Sequence, residues 1–197
     1  MEGSIHEKTK TLKQLILNEE EFVKRCSHND RHAQEFLFNQ FYKELYLIAM
    51  RYLSDHHDAE DAIIQTMTKT FKSLHKFTYK GQGSLGRWIR TILINESIRM
   101  LKKRSLIQFN SELVHLDLQN SEANGLEQLQ ASDITRMIER LPTGYRTVFN
   151  LYIVEGYAHK DIAKMLGVSE STSKTQLKKA RNYLMNSMQN DKAYGTS

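Results

Sequence analysis

Ser171, Thr172, Lys174, Thr175, Gln176, Lys178, Lys179 and Arg181 crowd one short, basic, helix-patterned stretch. Hydroxyl and amide side chains near the start of such a helix can meet base edges, while Lys and Arg further along meet phosphates. The residues in front of it favour this use. Ile162, Ala163 and Leu166 put apolar groups on one stripe of a short helix, and Ala163 is small where two helices must cross closely. Gly167 stands where a helix end calls for a left-handed residue, and Ser169 can cap the next helix. Val168, Ser173, Leu177, Ala180 and Leu184 are expected to face inward. Together these signals predict a helix-turn-helix that sets its second helix in the major groove of duplex DNA. A solvated basic face on an ordinary helical hairpin is the bland alternative, but it leaves the agreement of cap, turn glycine, apolar stripe and basic face unexplained.

A second constellation precedes it. Asp58-Ala59-Glu60-Asp61 opens a helix with a dense acidic cluster, which by itself suits the positive end of a helix dipole. Downstream the sign reverses, and a later helix ends Arg99-Met100-Leu101-Lys102-Lys103-Arg104. Between them lies the loop Phe77-Thr78-Tyr79-Lys80-Gly81-Gln82-Gly83-Ser84, followed by Trp88. Aromatic and basic groups beside a flexible loop are what single-stranded DNA needs: stacking surface, charge and a pocket for an unstacked base. Trp88 itself is expected in the core, because Leu85, Ile89 and Ile92 share its stripe.

These residues must be carried by helices. The 197-residue chain has one proline, nine glycines and no β-alternation of any length, so it is expected to be all-α: two small helical domains joined by a flexible acidic linker, the C-terminal one a helix-turn-helix. The expected parts are a polar leader over 1–18, a first domain over 19–104, a linker over 105–130, the helix-turn-helix domain over 131–190 and a tail over 191–197. Phe38, Phe41, Tyr42, Leu45, Ile48, Ala49 and Tyr52 mark the buried face of one long helix. The net charge of +5 conceals strong segregation. From Lys72 to Arg104 nine basic residues face Glu96 alone, whereas 105–130 carries Glu112, Asp117, Glu122 and Glu127 without Lys or Arg. Blocks of opposite sign suit separate partners. The lone Cys26 excludes an internal disulfide, no apolar run reaches the roughly 18 residues needed to span a bilayer, and no cleavable signal is seen; a soluble, cytoplasmic protein is expected.

The chain resembles the bacterial sigma factors of the extracytoplasmic-function type. The resemblance rests on Arg51-Tyr52, Asp58-Ala59-Glu60-Asp61, Gly83-Ser84, Trp88-Ile89 and Asn95 in the first domain. In the second it rests on Leu141-Pro142, Gly144-Tyr145-Arg146, Glu155-Gly156, Ile162-Ala163, Leu166-Gly167 and Ser171-Thr172-Ser173-Lys174. It implies a protein that binds core RNA polymerase, directs it to promoters and opens them. It makes Asp58, Glu60, Asp61 and Gln65 the contacts to the clamp of the largest polymerase subunit. Loop 77–84 and the helix after it become the reader and melter of the −10 element, through Lys80, Gln82, Ser84, Arg87, Arg90, Asn95, Arg99 and Lys102. The −35 element falls to Ser171, Thr172, Lys174, Thr175, Gln176, Lys178, Lys179 and Arg181. The acidic linker would occupy a channel built for nucleic acid by mimicking its charge. Partners implied are core polymerase, promoter DNA both double-stranded and melted, and an anti-sigma factor, with no cofactor, metal or membrane insertion. Where the family usually carries Gln-Glu and an aromatic after the acidic cluster, this chain has Ile64, Gln65 and Met67.

Two other classes compete. A helix-turn-helix regulator needs a dimer interface or effector pocket in 19–104, where the sequence shows an acidic cluster and a basic helix. An enzyme could be imagined around His56-His57-Asp58, but adjacent histidines point about 100° apart on a helix. Gly81-Gln82-Gly83 lacks the further glycines and lysine of a phosphate loop.

Overall fold

The computed structural model describes residues 19–104 and 136–194, with side chains to 188; the expected leader, linker and last three tail residues lie outside the described residues. All regular structure among the described residues is helical. The chain forms two units, Met1–Ser97 and Ile98–Ser197, so the division falls inside a helix, before the expected end of the first domain.

In the first unit α1 (Glu19–Ser27), α2 (Arg31–Leu53) and α3 (His56–Ser73) follow one another through tight turns. A 3₁₀ turn (Leu74–Lys76) and the loop 77–83 then lead into α4 (Ser84–Arg104). Local chemistry fixes the breaks. Asp30 caps α2 by accepting from the Ala33 amide at 3.1 Å, and Arg25 closes over the same carboxylate, holding it below the usual aspartate range. Ser54 takes a left-handed conformation at φ 53°, and Asp55 accepts from the Asp58 amide at 2.9 Å to start α3. Leu45, Ile48, Ala49 and Tyr52 are buried as their spacing predicts. Phe38, Phe41 and Tyr42 are only half-buried: they lie on the flank of that stripe, where Phe38 and Tyr42, then Tyr42 and Tyr46, pack ring to ring. Ala59, Ala62, Ile63 and Met67 of α3, with Leu85, Ile89, Leu93 and Ile94 of α4, complete the core. Cys26 is buried there, and its thiol is pushed up to about 12, chiefly by burial, which makes it inert.

From residue 136 on, the second unit has a helical turn at 136–139 and then α5 (Thr143–Phe149) behind Pro142. Arg146 is buried, donating through Nη1 to the carbonyls of Glu139 at 2.8 Å and Leu141 at 3.1 Å; burial pulls its pKa down. These bonds tie the preceding turn to α5. The helix widens into a π turn over Asn150–Val154, then gives way to α6 (His159–Leu166) and α7 (Glu170–Tyr194). Leu151, Ile162, Leu166, Leu177 and Ala180 form the core between them.

Ile89 is fully buried next in sequence to Trp88, the only tryptophan. Ile89→Ala is expected to cost the first unit about 2–5 kcal/mol, read by urea unfolding followed by Trp88 fluorescence. A loss below about 1 kcal/mol would mean the α4 core is not packed as described.

Candidate nucleic-acid and polymerase interfaces

The turn between α6 and α7 is built as the sequence predicts. Gly167 ends α6 at φ 75°, and the amides of Gly167 and Val168 both return to the Ala163 carbonyl, at 2.8 and 3.0 Å. Ser169 accepts from the Thr172 amide at 3.0 Å and so caps α7. His159 in α6 bonds the Ser173 hydroxyl at 2.8 Å and stacks on Tyr152 at 4.4 Å, locking α6 against α7. Burial, then the nearby Lys174, pull its pKa below the ordinary histidine value.

On α7 the expected −35 residues divide. Ser171, Lys174, Thr175, Lys178, Lys179 and Arg181 are exposed. The first four recur at three- and four-residue steps and form one outward stripe. Thr172 and Gln176 are half-buried. Thr172 is half-buried with its hydroxyl 2.8 Å from that of Ser169, so it serves the cap. Gln176 turns inward against Gly144, its Oε1 buried 3.3 Å from where a Cβ there would stand. Gln176 lies on the flank of the stripe Ser173, Leu177 and Ala180, so the packing claims it. Lys174 pairs with Glu170 at 2.8 Å, which holds the Glu170 carboxyl below its ordinary range.

Arg87, Asn95 and Arg99 are exposed on α4, and Lys80 and Gln82 on the loop before it. Thr91 joins Arg87, Asn95 and Arg99 at four-residue steps on the same face; that spacing was the signal by which the sequence could have revealed it. Tyr79, 38% exposed, adds an aromatic to the loop. Lys102 is half-buried, and Arg90 is half-buried in an ion pair with Glu44 of α2. Ser84 is buried, its Oγ donating to Glu19 at 3.1 Å and accepting from the Lys80 amide at 3.2 Å. It shapes the loop rather than facing a ligand. Glu96, the lone carboxylate of the basic run, is buried and paired with Lys69 of α3 at 2.6 Å. That removes the one negative charge from the outer face. Trp88 is half-buried against Phe77, with ring centroids 5.1 Å apart.

The acidic cluster also divides. Glu60 and Asp61 are exposed, with Gln65 half-buried one turn on, and the 57%-exposed Ile64 beside them. Asp58 is buried at 6% exposure under the first turn of α3, because its position falls on the inward stripe with Ala62. It is withdrawn from the docking set. Among the described residues no group of His, Cys, Asp or Glu could hold a metal ion, and no helix is long and apolar enough to cross a membrane.

Residues 37–107 match the family described as Sigma-70 region 2, and residues 131–184 match Sigma-70, region 4. The chain is 25% identical over 153 residues to the ECF RNA polymerase sigma factor SigE of Mycolicibacterium smegmatis, covering 75% of this chain and 58% of that protein. It is 26% identical over 153 residues to the ECF RNA polymerase sigma factor SigM of Mycobacterium tuberculosis, covering 77% and 75%. Among solved structures, the sigma factor RpoE of Bartonella quintana, crystallised with the anti-sigma factor NepR, matches with TM-score 0.48 and 23% identity over 79% of this chain and 96% of that one.

Lys178 lies on the outward stripe, and no ion pair to it occurs among the described residues, whereas Lys174 must first leave Glu170. Lys178→Ala is therefore expected to lower the salt slope of promoter binding by the polymerase complex by about one unit, and Lys174→Ala by less. Equal slopes for Lys178→Ala and the parent would place Lys178 off the DNA.

Proposed function

This chain belongs to the sigma-70 family, in its extracytoplasmic-function branch, and from that premise we propose that it binds core RNA polymerase, carries it to specific promoters and opens them. The observation that carries the reading is the outward stripe of Ser171, Lys174, Thr175 and Lys178 on a helix held by the Gly167 turn and the Ser169 cap. A stripe of hydroxyls and cations on the second helix of this motif fits the −35 duplex, with the hydroxyls at base edges and the cations at phosphates.

The first unit takes the −10 element. Arg87, Thr91, Asn95 and Arg99 give α4 a polar, cationic face for the backbone, and Tyr79, Lys80 and Gln82 offer the loop's stacking surface, charge and amide to an unstacked base. Glu60, Asp61 and Gln65 give α3 an acidic flank for the basic polymerase clamp, with Ile64 as an apolar contact beside them. The same reading gives a cytoplasmic site of action, an anti-sigma protein as regulator, and no chemistry of the protein's own.

Magnitudes explain why polymerase is needed. Opening about ten base pairs costs on the order of 14 kcal/mol at roughly 1.4 kcal/mol per stacking step. Specific duplex binding by a small protein yields roughly 11–15 kcal/mol in all, most of it blind to whether the duplex is open. A chain of 23.0 kDa therefore opens a promoter only as part of the larger complex.

Transcription from a randomised promoter library with purified core polymerase and this protein alone tests the reading. The expected result is initiation at a shared two-box sequence that depends on both components. Two results contradict it: initiation only when another sigma factor is added, and promoter opening by the protein without polymerase.

A further inference from the structure

We propose that Glu19 is a positioning residue for the −10 element: from α1 it sets the shape of the loop that holds an unstacked promoter base. The inference rests on the assignment of loop 77–83 to that base, and it goes beyond it. Glu19 is buried at 7% exposure, although it is a carboxylate at the very start of a helix. Its oxygens accept from the backbone amides of Gly83 and Leu85 and from the Ser84 hydroxyl. A carboxylate more than sixty residues away in sequence thus caps the first turn of α4.

The effect passes directly into the loop. Ser84 Oγ bridges Glu19 and the Lys80 amide, so the cap and the loop's turn form one bonded chain. Gly81 and Gly83, at φ 92° and 78°, make that turn, and the Ser84 amide returns to the Gly81 carbonyl at 3.1 Å. Thr78, Tyr79, Lys80 and Gln82 are exposed, so little apolar burial of their own fixes them. α1 brackets the loop at both ends. It packs on the 3₁₀ turn Leu74–Lys76 that leads into the loop, and through Glu19 it seizes the residues that lead out. Phe22, Val23 and Cys26 anchor α1 in the core, with Phe22 edge-on to Phe36 at 6.0 Å, so Glu19 reaches the loop from a rigid base.

The family match begins at residue 37, downstream of α1. A carboxylate suits the place for a second reason. Spent on three donors inside the fold, it adds no exposed negative charge to a surface that meets DNA.

The test uses holoenzyme reconstituted from core polymerase and the full chain, with opening rates read from 2-aminopurine fluorescence. Templates are an intact promoter and a set carrying a single abasic site at successive non-template positions of the −10 element. Wild type is expected to slow when the captured base is missing. Glu19→Ala is expected to open the intact promoter roughly tenfold more slowly, yet to match wild type on the abasic template. Glu19→Gln, which keeps the shape but turns one acceptor into a donor, should fall between them. Core affinity and closed-complex binding should stay unchanged. If wild type ignores every abasic site, the assignment of the loop fails. If wild type responds and Glu19→Ala behaves identically, the loop stands and the role of Glu19 is overturned. Equal slowing of both variants on every template also overturns it, since that is the mark of general destabilisation.

Discussion

A surface that must meet a polyanion cannot carry uncompensated carboxylates, and the structure of the first unit follows from where its carboxylates go. Glu96 interrupts the basic run of α4 in sequence but not on the surface, because it is buried against Lys69. Glu19 is spent on the amides that open α4. Glu44 is held by Arg90. Each arrangement joins two helices, so the bonds that engage these carboxylates also hold α1, α2 and α3 against α4. Glu60 and Asp61 are exposed side by side on α3, where a basic partner is proposed. One electrostatic constraint thus sorts the surfaces and packs the helices.

The helix-turn-helix unit meets a different demand. A recognition helix must be rigid at its first turn, since base edges are read by groups placed there. Three devices meet at that turn: the Ser169 cap, the left-handed Gly167 and the bond from His159 to Ser173. The stiffening draws on groups that could otherwise have read bases. Thr172 joins the cap and Gln176 packs against Gly144, so the exposed stripe proposed to meet the duplex is Ser171, Lys174, Thr175 and Lys178. Glu170 tempers it further by engaging Lys174 in the absence of DNA.

What the sequence disclosed depended on range. Caps, turn glycines and apolar stripes are local, and the Gly167 turn, the Ser169 cap and the inward stripes of α2 at Leu45, Ile48, Ala49 and Tyr52 and of α7 at Ser173, Leu177 and Ala180 followed from them. Residue type alone did not foretell the burial of Asp58 and Ser84 or the half-burial of Thr172 and Gln176. Each is polar and sits in a polar-looking stretch, yet each lies on or beside an inward stripe, or is claimed by a cap. The spacing that exposed Thr91 could have warned of Asp58, one step from Ala62. Nothing local could have announced Glu19, whose three donors lie more than sixty residues downstream. The π turn at Asn150–Val154 was equally silent, because a wide turn inside a helix leaves no break in apolar periodicity.

The central claim is a division of labour: the second unit holds the upstream duplex while the first handles the strand that opens. Photo-crosslinking within the assembled polymerase complex tests it most directly, with one reactive group placed at Gln82 and another at Lys178. The account predicts that Lys178 crosslinks to upstream duplex before and after opening. It predicts that Gln82 crosslinks to the non-template strand of the −10 element only once the promoter is open. Crosslinks from Gln82 to duplex DNA alone, or from Lys178 to the melted strand, would contradict it.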